Sequence, residues 1–142
     1  MPAAPDDLIA AAVAAYGRAY APYSRFSVGA AVRDEHGRIH GGCNVENAVY
    51  PVGNCAEASA LAAMVLAGGH RIVEAAVVGA GVGLVTPCGG CRQRLREFGA
   101  PELPVHICDE HGALRRTFTL DELLPASFGP EHLVGAHRNA PV

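Results

Sequence analysis

The chain has 142 residues, which suits one domain able to bury about two thirds of its unfolded surface. The chain has 14 Asp and Glu residues against 11 Lys and Arg. The composition therefore shows no excess of positive charge for binding a polyanion, which argues against a nucleic-acid partner. The N-terminal residues form no basic region and precede no membrane-length apolar run, and five cysteines argue against a disulfide framework, so we expect a cytoplasmic protein without membrane contact.

The first half of the chain predicts a helix followed by a β-hairpin. Asp6 or Asp7 can cap a helix whose apolar residues recur at helical spacing, namely Leu8, Ile9, Ala12, Val13, Tyr16 and Tyr20. Residues 27–32 and 38–43 are typical of two strands around a polar turn at 34–37. A loop over residues 44–53 then leads to a second helix at about 55–67.

The second half predicts alternating strands and helices. The second helix is apolar nearly all round, which indicates burial on every side and, in so small a protein, a subunit contact as well. The further elements are a strand at 72–79, a helix at 88–98, strands at 104–108 and 114–118, and a short helix opened by a capping box of Thr119 and Glu122. This order favours a partly parallel sheet with helices on both faces.

Three cysteines and one glutamate carry the strongest chemical signal. Cys55 and Glu57 stand at the start of the second helix, and Cys88 and Cys91 at the start of the third, so both helix dipoles would favour thiolates there. Three ligands leave zinc one open position, which distinguishes a catalytic site from a structural one. Residues two apart on a helix do not share a face, so Glu57 suits proton transfer to and from an activated water better than metal binding.

Each half of this pattern has an ordinary alternative. The cysteine pair of the third helix alone would suit a redox motif, and Glu57 with Asn54 three residues earlier resembles a capping box. A redox pair gives no role to Cys55, and a cap gives none to any cysteine, so the combination favours zinc. Cys43 and Cys108 lie outside the pattern and are expected to be buried, inert thiols.

Four segments resemble, in the same order, those of the small cytidine deaminases of free-nucleoside salvage. They are YSRFSVGAA at 23–31, NVENA at 44–48, PCGGCRQ at 87–93 and LLPASF at 123–128. The resemblance runs from about Tyr16 to Phe128. We therefore expect one deaminase domain over residues 1–130 and a C-terminal tail over 131–142, mobile because nothing apolar beyond Leu133 and Val134 ties it down.

The resemblance implies a fold, an activity and an assembly. The fold is a three-layer α/β/α sandwich with a mixed five-stranded sheet. The activity is hydrolytic deamination of cytidine and 2′-deoxycytidine to uridine and 2′-deoxyuridine with release of ammonia. One zinc ion per chain is held by Cys55, Cys88 and Cys91, and Glu57 is the catalytic proton carrier. The family's homotetramer would explain the apolar second helix.

The resemblance also assigns the substrate contacts, which are Phe26, Asn44, Glu46, Ala48, Tyr50, Ala56 and Phe128. Asn44 and Glu46 resemble the pair that binds the ribose hydroxyls, Phe26 the aromatic wall beside the base, and Phe128 an aromatic residue that reaches a neighbouring subunit's pocket. Tyr50 would border the sugar, and Ala56 would offer backbone groups to the base. Without the family, Asn44 and Glu46 suit turn chemistry and a surface charge, and Phe128 equally suits a core position.

One position departs from the family's pattern. In many members an arginine follows the catalytic glutamate and hydrogen-bonds the thiolates, whereas this chain has Ala58. Three thiolates and one zinc ion leave a surplus negative charge, for which we expect compensation from the two helix dipoles, from Arg92 or from a neighbouring subunit. Arg92, Arg94 and Arg96 together are expected to form a solvated helix face that pairs with local acids.

Three alternative functions stay open at this point. A deaminase of a modified cytosine nucleoside, of the blasticidin type, shares the zinc motif and also lacks that arginine, although the intact NVENA segment argues for an ordinary ribose. A noncatalytic zinc-bearing interaction domain is the second. A polynucleotide deaminase is the third, and the acidic charge balance argues against it.

Overall fold

The computed structural model describes residues 5–136, which form five α-helices and five β-strands. In chain order they are α1 (Asp6–Tyr16), β1 (Val28–Asp34), β2 (Ile39–Cys43), α2 (Ala56–Leu66), β3 (Ile72–Gly79), α3 (Gly89–Phe98), β4 (Pro104–Cys108), β5 (Leu114–Thr119), α4 (Leu120–Leu123) and α5 (Pro130–Ala136). A short 3₁₀ turn at Tyr50–Val52 precedes α2. The capping box predicted for α4 is confirmed, with Thr119 and Glu122 each satisfying a backbone amide of the other.

The five strands form one mixed sheet in the order β2-β1-β3-β4-β5. β1 is antiparallel to both β2 and β3. The predicted hairpin of β1 and β2 is therefore confirmed, and β1 also pairs with β3, the central strand of the sheet. β3 and β4 are parallel and β4 and β5 antiparallel. A parallel pair needs a crossover connection, which α3 provides here. The predicted mixed five-stranded sheet is therefore present.

Helices cover both faces of this sheet. On one face, α1 packs through Leu8, Ile9 and Ala12 against Ala31, Ala76, Val78 and Cys108. The opposite face carries the larger core, in which residues of α2 and α3 such as Met64, Leu61 and Leu95 pack against Val77, Val105 and Ile107. The two faces alternate along each strand, as the period of two in β-structure requires. The result is the predicted three-layer sandwich, with α2 and α3 in the same layer.

The first helix and the hairpin turn differ from expectation in detail. α1 has Pro5 at its N-cap without a side-chain hydrogen bond, and Asp6 and Asp7 lie in its first turn instead of capping it. Tyr20 lies beyond the end of α1 and forms an isolated bridge with Val45. Asp34, predicted as a polar turn residue, ends β1 with no exposed surface.

Asp34 can be buried because four groups from three residues satisfy its carboxylate. Arg38 Nε donates to Oδ2 at 2.9 Å, His40 Nε2 lies 2.8 Å from the same oxygen, and the backbone amides of His36 and Arg38 donate to Oδ1. Burial alone would raise the pKa of Asp34, but these hydrogen bonds outweigh it and hold the pKa well below its usual range. Sequence patterning identified the turn but not the buried ion pair that closes it.

The second helix is not buried on every side within one chain. Its inner residues Ala60 and Met64 have no exposed surface, whereas Val65 is 48% exposed and Leu66 is 91% exposed. The expected burial on every side is therefore wrong within a single chain.

The C-terminal segment begins with a helix. Of the predicted tail at 131–142, residues up to Ala136 belong to α5, and residues 137–142 lie outside the described part of the chain. Arg96 of α3 is bound to Glu131 of this helix and to Ser127. Within residues 5–136, no helix is long and apolar enough to cross a membrane.

Candidate active site

The three predicted cysteine ligands meet where α2 and α3 begin. Cys55 is the N-cap residue of α2, Cys88 is the N-cap residue of α3, and Cys91 lies in the first turn of α3. Their sulfur atoms all lie within 4.8 Å of one another, and those of Cys55 and Cys88 are 4.0 Å apart. Cys55 thus meets Cys88 and Cys91, which are distant from it in sequence, because α2 and α3 lie in one layer of the fold.

The sulfur arrangement fits a tetrahedral metal ion. Zinc binds thiolate sulfur at about 2.3 Å, so three corners of a tetrahedron lie about 3.8 Å apart. The 4.0 Å separation of the Cys55 and Cys88 sulfurs is close to this value, and no separation within the cluster exceeds 4.8 Å. Cys55 joins Cys88 and Cys91 in the cluster, and a redox pair gives no role to this third cysteine. Within residues 5–136 these three side chains form the one cluster suited to a metal. Three ligands and one open position indicate a catalytic centre.

The electrostatics of the cluster favour a cation. Burial is the main cause that raises the pKa of Cys91, and the neighbouring thiols and Glu57 raise it further. Burial also raises the pKa of Cys55. For Cys88, hydrogen bonds from the amide and thiol of Cys91 outweigh burial and lower the pKa. Three thiolates this close repel one another, so a bound cation is needed to keep all of them ionised.

Glu57 is the buried acid of the site. Only 5% of its surface is exposed, and burial raises the pKa of its carboxyl group above the ordinary value, while its own backbone amide, the Cys91 thiol and the charge of Arg94 act in the opposite direction. An acid with a raised pKa can exchange a proton near neutral pH. The capping-box alternative is wrong because Cys55 is the N-cap and no side chain caps this helix.

A pocket of about 440 Å³ opens beside Cys55. Its lining residues are Tyr23, Ser24, Asn44, Val45, Glu46, Asn47, Tyr50, Gly53, Asn54 and Cys55. Of the predicted substrate contacts, the pocket therefore brings together Asn44, Glu46 and Tyr50. The lining contains one carboxylate and no lysine or arginine.

The polar side chains of this pocket are held in place by the backbone. Asn44 Oδ1 accepts a hydrogen bond from the Val28 amide at 2.9 Å, and Asn44 Nδ2 donates to the Phe26 carbonyl at 2.8 Å. Glu46 accepts from the amides of Tyr23 and Ser24 and from the Ser24 hydroxyl. The Ser24 hydroxyl is the main cause that lowers the pKa of Glu46, so this carboxylate is ionised at neutral pH.

Four predicted contacts lie outside the pocket lining. Phe26 and Ala48 are exposed nearby, and Ala56 is buried at the start of α2. Phe128 is 55% exposed and stacks on His132 at 5.1 Å between ring centroids, so it is not the core residue that the alternative interpretation required.

The sequence analysis assigned no substrate contact to Tyr23, Ser24, Asn47 and Asn54, which also line the pocket. The ring of Tyr23 lies 5.7 Å from that of Tyr50, and the two form one wall. The signal for Tyr23 and Ser24 was the YSRF segment, which carried part of the family resemblance but did not predict the contact of Ser24 with Glu46.

Three expectations about charge and thiols are corrected. Arg92 does not contact the sulfurs: it donates to the carbonyls of Pro87 and Leu123 and to the Thr86 hydroxyl. Arg96 is buried and not part of a solvated face, although it does pair with an acid. Cys108 is buried as predicted, with its pKa raised by burial to about 11, whereas Cys43 is only half-buried.

The fold and the site together define an α/β/α enzyme with a three-cysteine catalytic zinc centre. Comparison with known proteins agrees: residues 4–107 match the family model described as the cytidine and deoxycytidylate deaminase zinc-binding region. Cytidine deaminase from Sporosarcina psychrophila is 42% identical over 128 residues, covering 90% of this chain and 93% of that protein. Cytidine deaminase from Mycobacterium tuberculosis H37Rv is 44% identical over 115 residues, covering 81% of this chain and 82% of its own.

Solved structures give the same result. The crystal structure of cytidine deaminase from Burkholderia pseudomallei superimposes with a TM-score of 0.82 at 44% identity, covering 89% of this chain and all of the other. That of cytidine deaminase from Mycobacterium tuberculosis gives a TM-score of 0.76 at 40% identity. The chain belongs to the cytidine and deoxycytidylate deaminase family.

Proposed function

We propose that this protein hydrolyses cytidine and 2′-deoxycytidine to uridine and 2′-deoxyuridine with release of ammonia. The observation that carries the proposal is the buried carboxyl group of Glu57 beside three clustered thiols that leave one metal position open. A structural zinc site would have no use for either feature.

Cys55, Cys88 and Cys91 would hold the zinc ion, which would supply a water of lowered pKa as the nucleophile for C4 of cytosine. Glu57 performs the proton transfers. Its carboxylate accepts a proton from the attacking water and delivers it to ring N3; it then accepts the remaining proton from the hydroxyl group now attached to C4 and passes it to the amine, which leaves as ammonia. Burial suits this work, because the raised pKa brings the proton affinity of Glu57 closer to that of the groups it serves.

The sugar is the part of the substrate that the pocket recognises. Asn44 and Glu46 lie two residues apart in the lining, and each side chain is fixed by backbone hydrogen bonds while keeping unused hydrogen-bonding capacity. We assign both to the ribose hydroxyls and Tyr50 to the edge of the sugar. We assign Phe26 to the wall beside the base, the backbone of Ala56 to the edge of the base, and Ala48 to a further substrate contact.

The charge of the pocket favours a nucleoside over a nucleotide or a polynucleotide. Glu46 is ionised and no cationic side chain is among the lining residues, so a phosphate group would meet repulsion and no partner. The same charge argues against a polynucleotide deaminase.

A homotetramer accounts for the exposed apolar residues. Val65 and Leu66 of α2 leave an apolar strip in solvent, and Phe128 is exposed although it belongs to a segment shared with the family. We infer that Phe128 contacts the base pocket of a neighbouring subunit. We place the enzyme in the cytoplasm, where thiols stay reduced, and in pyrimidine salvage, since free nucleosides are its substrates.

The test is ultraviolet-monitored deamination by the purified protein. Cytidine and 2′-deoxycytidine should be consumed by protein carrying one zinc per chain, and a chelator should abolish the reaction. Blasticidin S and deoxycytidylate serve as competing substrates. Turnover of either in clear preference to cytidine, or no turnover at full zinc occupancy, would overturn the proposal.

A further inference from the structure

The zinc centre carries a charge that its ligands do not balance. Three thiolates around a divalent ion leave a net charge of minus one, and this surplus makes the bound metal a weaker acid and its ligands harder to desolvate. Ala58, directly after Glu57, has no group to offset the charge. Either another side chain offsets this negative charge, or the site binds zinc more weakly.

Arg94 lies beside the cluster. It follows Cys91 by three residues on α3, so the two side chains share one face of the helix. Arg94 Nη1 lies 3.7 Å from Cys91 Sγ, within reach of a sulfur hydrogen bond in which the guanidinium donates. The positive charge of Arg94 also reaches Glu57.

The other two arginines of α3 are committed elsewhere. Arg92 is held by two backbone carbonyls and the Thr86 hydroxyl, and Arg96 by Glu131 and Ser127. Among the described residues, Arg94 is the one arginine whose guanidinium lies within hydrogen-bond distance of a sulfur ligand.

Arg94 and Ala58 share a groove of about 400 Å³ between α2 and α3. The short side chain of Ala58 leaves the groove open on the α2 side, and Arg94 enters it from the α3 side. An arginine at position 58 would therefore enter the same groove that Arg94 lines, and Arg94 contacts Cys91.

Gly90 makes room for this position of Arg94. A Cβ atom added at Gly90 would stand 3.2 Å from Arg94 Nη1, which is tighter than an ordinary contact, whereas one added at Gly89 would meet nothing within 4 Å. The absence of a side chain at Gly90 thus leaves the space that the guanidinium of Arg94 occupies.

We propose that Arg94 is a positioning residue of the zinc centre, whose guanidinium offsets the surplus thiolate charge by hydrogen-bonding Cys91 across the groove that Ala58 leaves open. The inference rests on the zinc site of the proposed function. Arg94 touches neither substrate nor the reacting atoms, so its effect is on metal binding first and on turnover only through the metal.

The test measures zinc affinity by competition with a chromophoric chelator, so it needs no substrate. Arg94→Ala should weaken zinc binding by about 10- to 100-fold, the usual scale for a group that supports a metal ligand. Arg94→Lys, which keeps the charge but loses the planar fork, should fall between that variant and the wild type. Arg71→Ala is the matched control, because it removes one exposed positive charge at the start of β3.

A rescue variant separates charge supply from structure. Adding Ala58→Arg to Arg94→Ala should restore most of the lost zinc affinity, since both positions face one groove. Because Arg94 is exposed, thermal unfolding of the zinc-free protein should not change. Equal zinc affinity for Arg94→Ala and Arg71→Ala would overturn the inference, as would a loss matched by lower stability of the zinc-free protein. Failure of the wild type to deaminate cytidine would instead refute the proposed function and leave this affinity comparison intact.

Discussion

At Gly42 the backbone of β2 lies directly against the backbone of α2, the helix that begins at Cys55 and carries Glu57. A Cβ atom at Gly42 would lie 2.2 Å from Ala60 N and 2.5 Å from Ala56 O, both backbone atoms of α2. Backbone cannot rotate away as a side chain can. Gly42→Ala therefore forces α2 and β2 apart.

The size of the displacement follows from these contacts. Ordinary contact begins at 3.4 Å, so the 2.2 Å contact must open by about 1.2 Å. Overpacking of this kind costs roughly 1–3 kcal/mol, and misplacement of a catalytic group by about 1 Å lowers the rate on the order of 100-fold. Because α2 carries Cys55 at its N-cap and Glu57 in its first turn, both functions should suffer together.

The assay compares Gly42→Ala with Gly41→Ala, its neighbour on the other face of the same strand. A Cβ at Gly41 meets nothing nearer than 3.7 Å, so this control should keep wild-type melting temperature, zinc affinity and turnover. Gly42→Ala should melt roughly 3–10 °C lower, bind zinc more weakly and turn over cytidine about 100-fold more slowly. Wild-type behaviour of Gly42→Ala in all three measurements would refute the close-approach argument.

Three further predictions concern the pocket, the hairpin and the assembly. Glu46→Gln should raise KM for cytidine by about 10- to 100-fold with a smaller change in kcat, because a charged hydrogen bond to the sugar is lost; an unchanged KM in steady-state kinetics would exclude Glu46 from the sugar site. Asp34→Asn should lower the melting temperature at pH 7. Since the pKa of Asp34 in the folded protein lies below its ordinary value of 3.8, the stabilisation by its carboxylate is complete above that pH and is lost as the pH falls below it. The difference in melting temperature between wild type and variant should therefore narrow at acidic pH, and a constant difference would contradict the ion pair. Phe128→Ala should lower kcat/KM while leaving the melting temperature near that of the wild type. Sedimentation should report a tetramer for the wild type, and a monomeric wild type of full activity would contradict the assembly.

The zinc site could be predicted because its pieces are local in sequence. Each cysteine lies at a helix start whose signals are short-range, and three thiolates with a nearby carboxylate have few uses. The fold class could also be predicted from local signals, because the alternation of strands and helices along the chain limits how they can be layered. The meeting of Cys55 with Cys88 needed only that α2 and α3 share a layer.

The features that escaped prediction depend on contacts between distant segments. Asp34 has the composition of a turn residue, and its burial results from the side chains of Arg38 and His40 closing over it. The exposed half of α2 has the same apolar pattern as a core helix, so periodicity cannot separate a core contact from a subunit contact. Arg94 belongs to a run of three arginines whose different environments only the fold distinguishes.

The central claim is that Glu57 moves protons beside a metal that it does not bind. The direct measurement is the cytidine deamination rate of Glu57→Gln together with its zinc content, because glutamine keeps the shape of the side chain and removes only its acid–base function. The account predicts one zinc per chain, as in the wild type, and a rate at least about 100-fold lower. Loss of zinc from this variant would make Glu57 a metal ligand, and a rate close to wild type at full zinc occupancy would contradict the mechanism.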